Sequence, residues 1–286
     1  ASPMRLLLAL PLLLACGPAA PPPPPVTEGT VDGLHYELRG HGPVVVLIHG
    51  AVLDARMWDP QLPALASAHR VLRYDLRSHG RSASQTRRTR AYDDLRLLMD
   101  SLRIPRATVV GLSAGAAVAT DFALAYPERV ERLVLAAPSV NGFVPRERPA
   151  WLADLARVLR AGHTDSASAL FAASPLMQVP DSARAAWLRG IVMDNARLWR
   201  DTIGPATPLA PAAYGRLAQL EMPVRVIVGE EDAADVRMLA GAIASNAPDA
   251  EVVWIPGAGH LVNVAQPARF DAALLEFLRR PVMRAR

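Results

Sequence analysis

Six short apolar runs, each halted by a turn-forming or polar residue, do most to constrain what this chain can fold into. Val44-Val45-Val46-Leu47-Ile48 ends at His49-Gly50, and Val71-Leu72-Arg73-Tyr74 ends at Asp75. Ala107-Thr108-Val109-Val110 stops at Gly111, and Leu133-Val134-Leu135-Ala136-Ala137 stops at Pro138. Val224-Arg225-Val226-Ile227-Val228 stops at Gly229, and Glu251-Val252-Val253-Trp254-Ile255 stops at Pro256-Gly257. A run that is apolar at nearly every position suits a strand covered on both faces, as in a parallel sheet. Stretches with helical spacing lie between them, at Ala91 to Leu102, Ala114 to Tyr126 and Asp235 to Asn246. The stretch from Pro267 to Arg279 places Phe270, Leu274, Phe277 and Leu278 on one helical face. Strand and helix in alternation predict an α/β fold with a mostly parallel, doubly wound sheet.

One segment breaks the alternation. Residues 139–220 contain no strand-like run but hold helical patterns and Trp151, Trp187 and Trp199. So long a departure is more than a loop. It is expected to be a helical cap over the carboxyl ends of the strands, where open α/β sheets bind ligands. The expected organisation is therefore a core of residues 26–138 and 221–286, with a cap of 139–220 inserted between its halves.

The N-terminus is of another kind. With Met4 as the expected start, Arg5 supplies a positive charge and Leu6 to Ala15 an apolar run. That run is too short to span a bilayer and suits a secretory signal over residues 1–15. It ends in Leu13-Leu14-Ala15-Cys16, which resembles the lipobox of bacterial lipoproteins; the resemblance implies lipidation of Cys16. Cys16 is the sole cysteine, consistent with an exported protein without disulfides. Residues 16–25, with five consecutive prolines, read as a tether. The expected location is a membrane anchor facing the periplasm or cell exterior.

The formal charge is +4 and every one of the 31 basic side chains is arginine. No arginine block exceeds the Arg87-Arg88-Thr89-Arg90 cluster, and no aromatic residues interleave with it, which argues against nucleic acid as a partner. The sequence lacks a Cys pair, a His-Glu-x-x-His pattern and a Walker or dinucleotide glycine pattern, so no metal or cofactor is expected.

Chemistry concentrates at three places. Gly111-Leu112-Ser113-Ala114-Gly115 follows a strand and precedes an alanine-rich helix. A serine on such a turn is lifted out of the sheet beside the free N–H groups of the helix N-terminus. His260, in Gly257-Ala258-Gly259-His260 after the last strand, is placed to serve it as a base. The loop after Gly229 offers Glu230, Glu231, Asp232 and Asp235 as the acid that would orient the histidine. Oxyanion donors are expected from the backbone of Ala114, just after the serine, and of Ala51, after His49-Gly50.

From about Thr30 to Leu278 the chain resembles the α/β-hydrolase superfamily. The likeness rests on His49-Gly50 with Trp58, the stretch Asp75-Leu76-Arg77-Ser78-His79-Gly80-Arg81-Ser82, the serine turn, Gly229-x-x-Asp232 and Gly259-His260, in that order. It implies an α/β-hydrolase fold with Ser113, Asp232 and His260 as catalytic triad, because Asp232 sits where that family keeps its acid. Ser78 departs from the family's usual glycine, and Ala114 and Ala116 from its common Met and Gly. The branch resembled holds esterases, enol-lactonases, cofactor-free perhydrolases and carbon–carbon bond hydrolases. The expected activity is cleavage of a small or medium hydrophobic carboxylic ester or lactone through an acyl-enzyme. Phe143, Trp151, Phe171 and Leu176 are the expected lining of the cap. Carbon–carbon cleavage or perhydrolysis on the same triad is the first alternative, and a tethered ligand-binding protein on this fold is the second.

Overall fold

The structure is a computed structural model that describes residues 26–201 and 206–281. The expected signal, tether and lipidation site at Cys16 lie outside the described residues. Eight strands form one sheet: β1 (Val26–Val31), β2 (Leu34–Arg39), β3 (Val44–Ile48), β4 (Arg70–Tyr74), β5 (Ala107–Leu112), β6 (Val130–Ala136), β7 (Val224–Gly229) and β8 (Ala250–Ile255). Their order is β1-β2-β4-β3-β5-β6-β7-β8. From β4 to β8 every pairing is parallel, while β2 runs antiparallel to both of its neighbours.

All six apolar runs are strands, with ends shifted by at most three residues. Successive side chains point to opposite faces of a strand. Val46 and Ile48 therefore enter one core with Val109, Val224, Val226 and Val228. Val45 and Leu47 enter a second core, on the other face, with Val110, Leu112 and Ile227. Helices α2 (Ala91–Ser101), α3 (Ala114–Ala125) and α7 (Ala234–Asn246) cover the first face. The short α1 (Leu62–Ala66) and α8 (Val262–Ala265) join α9 (Pro267–Arg279) over the second, with Trp58 and Phe270 6.0 Å apart between ring centres.

The β1–β2 hairpin did not emerge from the apolar runs. Its turn is Asp32-Gly33, with φ of 47° and 79°. Positive φ at both central residues marks the two-residue turn that joins antiparallel strands, and Asp-Gly is its common sequence.

Between β6 and β7 the chain makes α4 (Ala150–Arg160), α5 (Thr164–Ala172) and α6 (Ser182–Asp194) with short 3-10 turns, and no strand among the described residues. The C-terminal end of α6 is fastened to the loops that follow β3 and β4. Fully buried Asn195 donates to Asp54 Oδ2 at 2.9 Å and accepts from the Gly80 N–H at 2.6 Å. Arg197 donates to the carbonyls of His79 at 3.1 Å and Gly80 at 2.9 Å. The insertion thus rests on the end of the sheet where the parallel strands finish.

Candidate active site

Ser113 occupies the turn between β5 and α3 with φ 55° and ψ −116°, a left-handed conformation that side chains rarely adopt. The turn closes only because its flanks are glycine. A Cβ on Gly111 would run into the Gly115 carbonyl, and one on Gly115 into the carbonyl of Ile48 in the neighbouring strand. The Ser113 N–H donates to Ala136 O at 3.0 Å, so β6 holds the turn from its other side.

Two loops deliver the partners. After β7, the Glu230 N–H donates to Ile255 O at 3.1 Å and the Glu231 N–H to Ala258 O at 3.0 Å, pinning this loop beneath the one that follows β8. Gly229 sits at the crossing, where any side chain would meet the Ala258 carbonyl. Asp232 lies beneath His260 as a result: both its oxygens are 3.1 Å from His260 Nδ1. His260 Nε2 is 2.9 Å from Ser113 Oγ. One tautomer serves the whole chain, with Nδ1–H donating to Asp232 and Nε2 accepting from the serine hydroxyl. Asp232 is 4% and His260 7% exposed, so the ion pair that forms when His260 gains a proton is shielded from water.

The other acid candidates are elsewhere. Glu230 and Glu231 are exposed. Asp235 is buried but accepts from the Glu147 N–H at 2.8 Å, away from the histidine.

Ala51 and Ala114, the latter following Ser113 in the chain, both line a cavity of about 700 Å³, whose lining includes neither Ser113 nor His260 themselves. Ala114 opens α3, where the first N–H groups have no intrahelical acceptor. The Ala51 loop is set by His49, whose Nδ1 donates to Gly50 O at 2.8 Å and whose Nε2 accepts from the Leu76 N–H at 2.9 Å. His49 thereby shapes this loop.

Of the four expected lining residues only Phe171 reaches the cavity, with Leu159, Leu198 and Trp199 from the same insertion. Trp151 instead packs edge-on against Phe171 at 6.1 Å between ring centres, and Phe143 against Tyr214 at 5.3 Å. Leu176 is half-buried outside the cavity. Lining residues that no motif announced include Tyr92, Asp94 and Asp121. His35 is buried with its Nδ1 3.3 Å from Asp75. Among the described residues no group of three or more His, Cys, Asp or Glu is placed to hold a metal ion.

The fold has counterparts among known proteins. The model of the Alpha/beta hydrolase family matches residues 45–273. A protein of Caulobacter sp. (strain K31), to which carbamate hydrolase activity is ascribed under the name RutD, is 31% identical over 277 residues, spanning 88% of this chain and 97% of that protein. A thermophilic esterase from Thermogutta terrifontis superposes with a TM-score of 0.74 at 27% identity, covering 89% of this chain and 97% of its own. The enol-lactonase from Burkholderia xenovorans LB400 gives a TM-score of 0.74 over 89% of this chain and 100% of its own, and at 24% identity shares the fold alone. With four-fifths of its length under one family model, and hydrolases and esterases among its relatives, the chain belongs to the alpha/beta hydrolase family.

Proposed function

We propose that this chain cleaves a small or medium hydrophobic carboxylic ester or lactone through an acyl-enzyme on Ser113. The observation that carries the reading is the 2.9 Å approach of His260 Nε2 to the hydroxyl of a serine held in a strained turn. Ser113 Oγ attacks the acyl carbon as its proton passes to His260 Nε2, and Asp232 stabilises the imidazolium that forms. The N–H groups of Ala51 and Ala114 receive the charge that develops on the carbonyl oxygen. Collapse of the adduct breaks the bond to the leaving alkoxide, which takes the proton from Nε2. In a lactone that alkoxide stays attached through the acyl chain. Water then gives its proton to Nε2, attacks the acyl carbon and releases Ser113.

The helical insertion serves as the cap, and its Leu159, Phe171, Leu198 and Trp199 supply an apolar wall for the acyl or alcohol group. The Thermogutta esterase supports an ester substrate. A carbamate, the substrate ascribed to the Caulobacter relative, presents the same kind of carbonyl and is the second reading. The N-terminus supports export and anchoring through a lipidated Cys16.

Hydrolysis of p-nitrophenyl acetate, butyrate and octanoate by the full chain, beside Ser113→Ala, tests the reading. Loss of a nucleophile that acts as a unit with its base is expected to cost at least about three orders of magnitude in kcat/KM. Equal turnover by the two proteins would remove Ser113 as nucleophile. Carbamate turnover exceeding that of every ester would favour the second reading.

A further inference from the structure

Val52 is strained. Its φ is 60°, in the left-handed region where a β-branched side chain is an outlier. It stands one residue after Ala51, lines the same cavity and is buried. Such a conformation persists only where the surroundings hold it from several sides. Here the holding bonds can be followed. On the near side, the Gly50 carbonyl accepts from the Leu53 N–H at 3.3 Å, and the Gly50 N–H donates to Met57 Sδ at 3.3 Å. On the far side, the Ala55 N–H donates to Asp75 Oδ1 at 2.8 Å. Asp54 lies between. Its Oδ1 accepts from the N–H and the Nε of Arg56, each at 3.0 Å. Its Oδ2 accepts from Arg56 Nη2 at 2.8 Å and from Asn195 Nδ2 at 2.9 Å.

Three of these bonds to Asp54 are local, and the fourth is not. Asn195 follows α6, 141 residues from Asp54 in sequence, and is fully buried. Its amide is used up: Nδ2 also donates to Ile191 O at 2.9 Å, and Oδ1 accepts from the Gly80 N–H at 2.6 Å. Gly80 packs against Asp75, whose carboxylate a Cβ at this position would overlap. Asp75 is also the residue that holds Ala55. The contacts therefore close a circuit, from Asp75 through Ala55, Asp54 and Asn195 to Gly80 and back. A second tie runs beside it at the surface, where Arg56 donates to Asp194 at 2.9 Å. Burial opposes ionisation of Asp54, yet hydrogen bonds from Arg56 and Asn195 hold its carboxyl below the ordinary value. Asn195 thus meets a carboxylate, and an acid in its place would set like charges together.

We propose that Asn195 is a positioning residue for catalysis. By clamping Asp54 it keeps Val52 in its strained conformation and the Ala51 N–H aimed at the oxyanion, so that docking of the helical cap sets the oxyanion hole. This rests on the ester- or lactone-hydrolase reading, in which the Ala51 N–H receives that charge. The chemistry is sensitive to such a link. A donor serves only within about 2.7–3.1 Å of the oxyanion, and a misplacement of about 1 Å can cost about 10²-fold in rate. Acylation and deacylation both pass through an oxyanion at the same place, so kcat falls whichever step limits it.

The test is Asn195→Asp in the full chain, which keeps the shape and the acceptor for Gly80 but sets a carboxylate against Asp54. For p-nitrophenyl butyrate, kcat is expected to fall at least about tenfold with KM within about twofold of the wild type. Phenylboronic acid reads the oxyanion hole directly. Its boron bonds to Ser113 Oγ as the hydroxyl proton passes to His260, and the tetrahedral anion so formed mimics the adduct. Its affinity should weaken in step with kcat. The reciprocal swap, Asp54→Asn with Asn195→Asp, restores one donor and one acceptor and should recover most of both losses. A rise in KM at unchanged kcat would make Asn195 part of the binding wall only. Lower stability in urea with kcat and boronate affinity unchanged would make it a structural tie only. Either result overturns the inference, as does a swap no better than the single variant. Should Asn195→Asp fail to fold, Asp194→Ala takes its place, because it cuts the surface tie through Arg56. Then kcat and boronate affinity must drop together, and unchanged values overturn the inference. A wild type that hydrolyses no ester would sink the ester reading, and boronate titration would still decide for Asn195: weaker binding by the variant keeps the inference, equal binding ends it. Equal ester turnover by wild type and variant would keep the ester reading and sink the inference.

Discussion

Ser78 illustrates how a single side chain can hold a conformation that its type disfavours. Its φ is 69°, which explains why the resembled family usually has glycine at this place. It is 3% exposed, and its Oγ accepts from the Gln85 N–H at 3.0 Å. Left-handed backbone costs a non-glycine residue about 1–2 kcal/mol, and a buried hydrogen bond returns about 1 kcal/mol. Ser78→Gly removes both terms and is expected to stay within about 1 kcal/mol of the wild type in urea denaturation. Ser78→Ala keeps the strain, leaves the Gln85 N–H without its partner, and should lose about 1–3 kcal/mol. Should the alanine variant match the wild type, the hydroxyl would not be offsetting the strain. The triad follows the same logic with the opposite purpose, since the strained φ of Ser113 is kept because it lifts the hydroxyl to His260.

At the scale of elements, α9 carries a group that makes stability depend on pH. Burial pushes the Asp271 carboxyl up to about 6, and nearby Gln61 lowers it only in part. Its Oδ1 has no hydrogen-bond partner among the described residues. A carboxyl whose pKa is raised in the folded state favours protonation there, so the native state gains stability as pH falls through 6 towards the ordinary value of 3.8. Asp271→Asn is therefore expected to raise Tm at pH 8, by the equivalent of about 1 kcal/mol once partial exposure is allowed for, and the gain should vanish near pH 4. A gain that is the same at both pH values would exclude titration of Asp271 as its cause. The elements also separate what the sequence discloses from what it hides. Strands β3, β5 and β7 are covered on both faces, so their residues are apolar in sequence and stand out. Strand β1 is half exposed at the sheet edge, and its Val-Thr-Glu-Gly-Thr-Val carries little apolar signal; only the Asp32-Gly33 turn marks the hairpin. The serine, acid and histidine were legible because each sits in a local motif after a strand. Asp121 was not, because an aspartate inside a helix reads as solvent-facing until the helix is seen against Asn141 and Leu209. Trp151 failed as a lining residue for a related reason: which face of α4 meets the cavity is set by how the insertion docks.

For the whole molecule, the open question is where the enzyme works, and the folded part and the N-terminus bear on it separately. Among the described residues no helix is long and apolar enough to cross a membrane. The proposed membrane attachment rests on the N-terminal segment, where Cys16 follows an apolar run and precedes the prolines of residues 21–25. Two acyl chains on one residue suffice for stable anchoring, where one alone gives reversible binding. Because Cys16 is the sole cysteine, no disulfide or second thiol complicates its replacement. Expressed from the full chain in a bacterial host, Cys16→Ser is expected to move the protein from the membrane pellet to the soluble fraction. Its p-nitrophenyl butyrate kcat/KM should remain within about twofold of the wild type, since Ser113, Asp232 and His260 all belong to the sheet and its loops. A variant that still pellets with membranes would remove the lipid anchor and leave the hydrolase reading untouched. A variant that is released but loses activity would instead show that the anchored N-terminus supports the active site.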